Sequence, residues 1–321
     1  MATKKKEDLS IDEIMDEYSS GGEMTFISTG IKALDEISGG GLLEGTMYGF
    51  WGDAGTGKSS LCAQIARKFC DDGYSVLYVD SEKSLNEIQK EIYGLTKYCP
   101  KDKNEPRQLY HVDRVVTMKQ CDDICTKFIN KKMVKLIIID SITELLAKPA
   151  EDIDIEKQTI GEHARQSKDM LLKLKCAVHL NDVICIVMSQ ARANIQTVPT
   201  YGASDKKQAG GYAAKHVPDA ILQIAKGSTI KDAENNVIGH VMKMKYEKNK
   251  IHAPMAIEQN FIYGVGVSNR MGVIDAALER GFIELSGRSY VLGNGSKYIG
   301  KKALYDMTED DFNYLDEILN D

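Results

Sequence analysis

The sequence lacks the features of membrane and secreted proteins. Its apolar runs, such as Leu136–Ile139, are far shorter than the roughly 20 residues that a membrane-spanning helix needs. Lysines at 4, 5 and 6 are followed by no apolar stretch, which argues against a secretory signal. The seven cysteines are odd in number and include no CxxC pair, so we expect reduced thiols rather than a disulfide framework or a zinc site. We therefore expect a cytoplasmic protein.

The sequence also lacks a surplus of positive charge, since its formal net charge is −6. This figure does not exclude nucleic acid as a ligand, because a local basic channel can act inside an acidic protein. Residues 307–321 hold six acids and no base. Four lysines cluster within eight residues, at Lys243, Lys245, Lys248 and Lys250. Binding to DNA would therefore depend on local patches.

Apolar strand segments that alternate with amphipathic helical segments indicate an α/β fold. Between residues 45 and 189 this alternation predicts a mainly parallel sheet with helices on both faces. Within this region we predict, among other elements, a helix near 84–94 and a strand at 183–189. After Pro218, three strand segments follow one another without helices and predict an antiparallel extension of the sheet. No internal repeat or low-complexity stretch suggests another architecture.

The chain is long enough for one large domain and a small appendage. We divide it into an N-terminal segment with a short helix and a linker (1–30), a core (31–267), and a small α+β C-terminal module with an acidic end (268–321). In the module we predict a helix at 270–280, a hairpin at 282–292 and a second helix at 308–319.

The segment GDAGTGKS, at 52–59, fits the phosphate-loop pattern G-x-x-x-x-G-K-[ST]. Its glycines allow a tight turn that points backbone N–H groups at phosphate oxygens, while Lys58 supplies positive charge and Ser59 a hydroxyl for Mg²⁺. A strand before and a helix after give the motif its required context. The predicted nucleotide-binding residues here are Gly52, Asp53, Ala54, Gly55, Thr56, Gly57, Lys58, Ser59 and Ser60.

Polar residues also follow three other predicted strands. Asp140 ends the strand LIIID and is a candidate for the Mg²⁺ site, where it could hold the water shell of the metal or help to position Ser59. Asp80 and Glu82 follow the strand at 75–80, where a carboxylate can polarise an attacking water, although a solvated strand end or helix cap is an alternative. Gln190 cannot act as a base, but it can hydrogen-bond a γ-phosphate or the attacking water. A solvated strand end explains Gln190 equally well.

Two irregular stretches and a lysine pair complete the candidate features. Residues 148–157 and 191–211 lack periodicity and follow strand ends, where open α/β sheets bind ligands. Lys248 and Lys250 lie where a strand gives way to a turn before Pro254. These lysines could simply lie at a solvated strand edge. Alternatively, they could reach a phosphate, although not obviously one that is bound to their own subunit.

Together these segments resemble those of the RecA-type recombinases of bacteria and bacteriophages. The matching segments run from about 24 to 285 and include GDAGTGKSS, LYVDSEKSL, LIIIDSITEL, MSQAR, KMKYEKNKIHAP and IYGVGV. The resemblance implies a RecA-like P-loop NTPase core that uses ATP and Mg²⁺. It also implies a DNA-dependent ATPase that forms filaments on single-stranded DNA and exchanges homologous strands, with single- and double-stranded DNA and further copies of itself as partners.

The resemblance assigns roles by position. Glu82 falls at the catalytic glutamate, and Gln190 at the residue that senses γ-phosphate and couples it to a second DNA-binding loop, near 191–210. Lys248 and Lys250 would reach the neighbouring subunit's ATP, so that the site is completed in trans. The same trans contact is implied for Lys215, and Pro254 belongs to the turn after these lysines that we include among the nucleotide-binding residues.

DNA contacts are also implied, some of them near a first loop at about 148–160. The N-terminal helix at 9–18 would dock on the adjacent subunit, and the acidic C-terminal end would restrain duplex DNA entry. Tyr201 could wedge between bases, or it could be an ordinary exposed loop tyrosine. The implied DNA-binding residues are Arg165, Arg192, Lys206, Lys207, Gly210 and Gly211.

Some positions depart from the family pattern. Asn86 and Gln89 stand where the family commonly has an Asp and a Tyr that contacts adenine, which leaves the nucleotide preference open. His216 occupies an aromatic position that relays between subunits. These departures suggest a diverged, bacteriophage-encoded member. Two alternatives remain, a hexameric RecA-fold motor such as a helicase and an ATP-switched DNA-repair accessory protein.

Overall fold

The computed structural model describes residues 24–102, 104–148, 160–193, 206–208, 211–231, 234–268, 270–305 and 307–320. The predicted helix at 9–18 lies outside these residues, as do most of the first predicted loop and residues 194–205 and 209–210 of the second. Among the residues described, no helix is long and apolar enough to cross a membrane.

Strands dominate the centre of the chain. They are β1 (Phe26–Ile27), β2 (Leu42–Leu43), β3 (Met47–Gly52), β4 (Val76–Asp80), β5 (Leu109–Val112), β6 (Leu136–Asp140), β7 (Ile184–Ala193), β8 (Lys206–Gln208), β9 (Ala220–Lys231), β10 (Val237–Asn249), β11 (Ala256–Ile262), β12 (Gly266–Val267), β13 (Ile283–Ser286), β14 (Ser289–Leu292) and β15 (Lys297–Ile299).

Most of these strands form one mixed sheet. The strands β9, β3, β7, β6, β4 and β5 lie side by side in this order and run parallel. Beyond β9, the strands β10, β11 and β12 continue the sheet in antiparallel fashion. The predicted α/β fold class, with a mainly parallel sheet and an antiparallel extension, is therefore confirmed.

Helices cover both faces of this sheet, and further helices belong to the C-terminal part of the chain. They are α1 (Lys32–Ser38), α2 (Lys58–Asp71), α3 (Glu87–Ile92), α4 (Met118–Asn130), α5 (Ile160–Leu180), α6 (Gly211–His216), α7 (Arg270–Glu279), α8 (Gly300–Tyr305) and α9 (Glu309–Asn320). Side chains alternate between the two faces of each strand, so Ile138 enters the core beneath α2, whereas Ile137 and Ile139 enter the core beneath α4 and α5.

The C-terminal part has its own small core. The strands β13, β14 and β15 form an antiparallel sheet, and buried residues from α7, α8 and α9 pack together beside it, including Val273, Leu304 and Leu315. An ion pair between Lys32 on α1 and Asp316 on α9, at 2.6 Å, connects this part to the remainder of the chain. The sequence predicted its first and last helices and its hairpin, but not β15 or α8.

Two elements differ from their predicted extents. The helix expected near 84–94 is only α3, because the chain before it is held in a turn by hydrogen bonds from the backbone N–H groups of Ser84 and Leu85 to Asp80. Asn86 then begins the helix by accepting a hydrogen bond from the N–H of Gln89. The strand expected at 183–189 continues to Ala193, because its last residues pair with β8.

A glycine at the end of β3 is required by close packing. A Cβ added to Gly52 would lie 2.0 Å from the carbonyl oxygen of Ile224 on β9, whereas one added to Gly55 would meet nothing within 4 Å. We predict that Gly52→Ala lowers the free energy of unfolding in urea by about 3 kcal/mol, because the central strands must separate. The control Gly55→Ala should lose only about 1 kcal/mol, from its positive φ. Equal losses would contradict the packing argument.

Candidate nucleotide-binding site

The carboxyl ends of four parallel strands meet at one edge of the sheet. Gly52 of β3 lies opposite Gln190 of β7, and Asp80 of β4 lies opposite Asp140 of β6. Because parallel strands end on the same side, four residues that are far apart in the chain are gathered within one short edge. This is the edge at which open α/β sheets bind their ligands.

The phosphate loop connects β3 to α2 at this edge. Gly55 and Gly57 have φ values of +72° and +92°, in the region that favours glycine. The buried Lys58 ammonium donates hydrogen bonds to the carbonyl oxygens of Gly52, at 3.0 Å, and Asp53, at 2.7 Å. Burial lowers the pKa of Lys58, against the opposing effect of nearby carboxylates. The Lys58 ammonium therefore lies across the loop. A bound phosphate would replace the two carbonyl oxygens as its hydrogen-bond partner.

Asp140 and Ser59 form an oxygen-rich pair beside the loop. Burial raises the pKa of Asp140 to about 6, although hydrogen bonds from the Ser84 and Ser59 side chains act in the opposite direction. Ser84 donates at 2.6 Å and Tyr78 at 3.1 Å. A hydroxyl and a carboxylate are the hard oxygen ligands that Mg²⁺ takes, usually together with waters and substrate phosphates. The residues present therefore fit Mg²⁺ held between this pair and a nucleotide.

The described residues offer no alternative cluster of metal ligands. Across the part of the chain that the structure describes, no group of three or more His, Cys, Asp or Glu side chains could hold a metal ion.

Glu82 and Gln190 are in direct contact. The side-chain amide of Gln190 donates a hydrogen bond to Glu82 Oε1 at 2.9 Å, and the Ser141 hydroxyl donates to the same oxygen. Thr143 connects Ser141 to Gln190. Its hydroxyl lies 2.8 Å from that of Ser141 and accepts a hydrogen bond from the backbone N–H of Gln190 at 3.4 Å. The residues predicted as catalytic base and phosphate sensor thus share one hydrogen-bond network.

Sequence reasoning missed Ser141 and Thr143. The only available signal was their position in the segment DSIT, immediately after the strand that ends in Asp140. Nothing local in that segment indicates that its hydroxyls reach Glu82 and Gln190, which lie 59 and 47 positions away from their partners.

Asp80 has a structural role in this edge. It is fully buried and accepts hydrogen bonds from the backbone N–H groups of Ser84 and Leu85, both at 2.9 Å, and from His111 at 3.1 Å. Burial alone would raise the pKa of Asp80, but these hydrogen bonds outweigh it and hold the pKa below its usual value. Asp80 therefore fixes the turn that presents Glu82, which leaves Glu82 as the candidate base.

The predicted trans lysines lie at the opposite edge of the sheet. The strand β10 runs antiparallel to β9, so that Lys248 is level with Ile221, and Ile221 in turn with Gly49 in the first half of β3. Lys248 donates to the carbonyl oxygen of His216 at 2.9 Å, and Lys250 lies 3.5 Å from Asp219. The structure does not bring either lysine to its own phosphate loop.

The other predicted nucleotide contacts are on the surface. Lys215, on α6, and Pro254, in the turn after β10, are both exposed. At the predicted adenine position, Asn86 is exposed and caps α3, while Gln89 is partly buried. His216 is exposed and supplies its carbonyl oxygen to Lys248.

The described base of the second predicted DNA-binding loop lies next to Gln190. The backbones of Arg192 and Ala193 pair with those of Lys207 and Lys206, which forms an antiparallel ribbon at the base of the second loop. Gly211 begins α6, whereas Gly210 and Tyr201 lie outside the described residues, and Arg165 is exposed on α5. The ribbon is therefore continuous with β7, the strand that carries Gln190 at the candidate nucleotide site.

Comparison with known proteins identifies the family of this sequence. The sequence model of the RecA N-terminal domain family matches residues 8–268, which is most of the chain. The chain belongs to the RecA family.

Individual relatives are 26–28% identical to this chain, and the matches extend over most of its length. Protein RecA of Anaplasma marginale (strain Florida) is 28% identical, and the match covers 84% of this chain and 72% of the relative. Protein RecA of Wigglesworthia glossinidia brevipalpis is 27% identical, with 98% and 95% covered. Protein RecA of Aquifex aeolicus (strain VF5) is 26% identical, with 91% and 81% covered.

Family membership confirms the resemblance read from the sequence. It supports ATP binding, DNA binding and a role of the recombinase type in recombination and repair. The predicted bacteriophage origin has no support in these matches.

The lowered pKa of Asp80 leads to a testable pH dependence. Its charged form stabilises the fold at pH values above its ordinary pKa of about 4, and this contribution is lost as the pH falls through the lower folded-state pKa. We predict that Asp80→Asn lowers the free energy of unfolding by about 2 kcal/mol at pH 7, and that its difference from the wild type shrinks towards pH 3. Urea titrations at several pH values measure this.

The exposed Asp316→Asn provides the matched control. It removes a half-exposed ion pair with Lys32, so we expect a loss below about 1 kcal/mol at pH 7. A gap between Asp80→Asn and the wild type that stays constant from pH 7 to pH 3 would contradict the role assigned to the buried carboxylate.

Proposed function

We propose that this protein is a DNA-dependent ATPase that polymerises on single-stranded DNA and catalyses homologous pairing and strand exchange. The observation that supports it most directly is the hydrogen bond from Gln190 to Glu82, which joins the candidate hydrolytic base to the strand that leads into the second loop. The proposal includes ATP and Mg²⁺ as cofactors, DNA and further copies of the chain as partners, and a cytoplasmic location.

In the proposed reaction, the phosphate loop and Lys58 bind the β- and γ-phosphates, and Ser59 and Asp140 hold the metal. Mg²⁺ would neutralise charge on the phosphate oxygens. Glu82 accepts a proton from the attacking water as the water oxygen bonds to the γ-phosphorus and the bond from that phosphorus to the bridging oxygen breaks, with ADP as the leaving group. Its environment suits this role, because one carboxylate oxygen is held by Ser141 and Gln190.

Gln190 would couple hydrolysis to DNA binding. When its amide turns to a γ-phosphate oxygen, it leaves Glu82, which becomes available to the water. Gln190 is on the same strand as Arg192, and the backbone of Arg192 pairs with that of Lys207. A change at Gln190 is therefore transmitted through two residues of regular strand to the proposed DNA-binding ribbon, which also includes Lys206.

Lys248 and Lys250 support completion of the site by a second subunit. Since β10 places them at the edge opposite their own phosphate loop, they can meet a γ-phosphate only in another molecule. One edge of the sheet would then face the opposite edge of the next subunit. Such a head-to-tail contact repeats indefinitely and builds a filament unless its rotation closes a ring.

The terminal segments would adapt this core to the filament. We propose that the N-terminal segment (1–30) docks on the adjacent subunit. The C-terminal module (268–321), with its acidic end, would restrain the entry of duplex DNA by charge repulsion.

A subunit-mixing experiment tests the trans site. We predict that Glu82→Gln and Lys250→Ala each lose DNA-stimulated ATP hydrolysis, by about 10²–10⁴-fold for Glu82→Gln, while both still bind DNA. Mixed in equal amounts, they should recover about a quarter of the wild-type rate, because one interface in four combines an intact Glu82 with an intact Lys250 of the next subunit.

The control mixes Glu82→Gln with Lys58→Ala. Both changes damage the same subunit's half of the site, so no interface is intact and no activity should return. Recovery in the control, or none in the first mixture, would contradict completion of the site in trans. Lys250 is preferred to Lys248 for this test because Lys248 also bonds carbonyl groups of its own subunit.

A further inference from the structure

A buried histidine lies directly beneath the phosphate loop. His240 is on β10, has no exposed surface, and places its Nε2 atom 3.4 Å from the carbonyl oxygen of Thr56. The rings of Phe261 and Tyr263 lie beside it, with centroid distances of 5.0 and 5.8 Å. The imidazole thus spans the space between the loop and the antiparallel extension of the sheet.

The contacts of the ring decide its protonation. A carbonyl oxygen can only accept, so Nε2 carries the proton and Nδ1 keeps its lone pair. Nδ1 is buried and has no hydrogen-bond partner among the described residues. A second proton would therefore place an unpaired charge in an apolar site, which is costly. Burial lowers the pKa of His240, opposed by the hydrogen bond to Thr56 and assisted by the charge of Lys226.

The groups around the ring do not offset this cost. Lys226 of β9 and Tyr263, in the turn after β11, are titratable groups beside it, and they bond each other, with 3.1 Å between Lys226 Nζ and the Tyr263 hydroxyl. The phosphate loop presents the Thr56 carbonyl. A lysine and a tyrosine provide no negative charge near neutral pH, so the neutral imidazole is the form that this site favours.

We propose that His240 is a positioning residue for the nucleotide site, and that its neutral ring holds the Thr56 carbonyl so that the Gly57 N–H faces the bound phosphates. The peptide unit between Thr56 and Gly57 is planar, and in a trans peptide the C=O and the N–H point in opposite directions. A carbonyl fixed towards β10 therefore directs the N–H to the other side of the loop.

Tight packing makes this hydrogen bond a constraint on the loop. A Cβ added to Gly57 would lie 2.6 Å from Met242 Cε and 2.8 Å from Phe261 Cε2, so the loop backbone rests directly on β10 and β11. Because Phe261 contacts both Gly57 and the His240 ring, a shift of the ring is transmitted to the loop. The inference rests on the proposed binding of ATP at this loop.

Two substitutions separate the hydrogen bond from simple packing. His240→Gln keeps an N–H donor near the position of Nε2 but cannot be protonated, whereas His240→Met fills similar space without a donor. We measure the affinity for Mg·ADP by calorimetry, without DNA, on the full chain. At pH 7.5 we expect His240→Gln to stay within about 2-fold of the wild type, and His240→Met to bind about 5–10-fold more weakly.

The pH profile provides the second measurement. As the pH falls through the lowered pKa of the ring, the wild type should lose more affinity than His240→Gln, because only the wild type can protonate this ring. Titrations of the nucleotide phosphate and of Asp140 are common to all variants and cancel in the comparison. Thermal melting shows whether each variant is folded. If His240→Met does not fold, the comparison between the wild type and His240→Gln decides alone.

Two results would overturn the inference. One is equal affinity of the wild type and both variants at pH 7.5. The other is an affinity of His240→Gln at pH 7.5 that is about 5–10-fold weaker than that of the wild type, which is the loss expected for His240→Met. A wild-type protein that binds no Mg·ADP would instead contradict the proposed function, so the two failures are distinguishable.

Discussion

The parallel alignment of β3, β4, β6 and β7 is the constraint on which the candidate site depends. Each strand is largely buried and carries a polar residue or a glycine at or near its carboxyl end, so the sheet gathers Gly52, Asp80, Asp140 and Gln190 at one edge. Parallel strands end on the same side only when helices cross back over the faces of the sheet, as α2, α4 and α5 do here. The core thus determines where the polar groups meet, and the short turns after each strand determine what they touch.

The strand β10 connects the two edges of the sheet. It begins beside the phosphate loop, where His240 lies 3.4 Å from the Thr56 carbonyl, and ends at the opposite edge with Lys248. In the proposed assembly, one strand would therefore support its own subunit's phosphate loop at its start and reach the nucleotide of the next subunit near its end. A rigid strand is a suitable connection between the two, because it cannot shorten without losing its pairs with β9 and β11.

The sequence predicted the elements that depend on local patterns. The strands β3, β4, β5 and β6 were recognisable as short apolar runs, and the phosphate loop by its spacing of glycines before Lys58. Contacts between distant segments were not predictable in this way. The ribbon of β7 and β8 joins residues across an irregular loop, and His240 meets a carbonyl 184 positions away. Asp80 and Glu82 differ by two positions and have the same chemistry, and only their hydrogen-bond partners separate a structural carboxylate from a candidate base.

The measurement that tests the central claim most directly is ATP hydrolysis with and without single-stranded DNA, with electron microscopy of the same samples. The account predicts strong stimulation by DNA together with helical filaments. Stimulation accompanied by closed rings would contradict the filament and favour a motor. Absence of both stimulation and filaments would contradict the proposed function, and would remove the DNA-linked roles assigned to Arg165, Arg192 and Gln190.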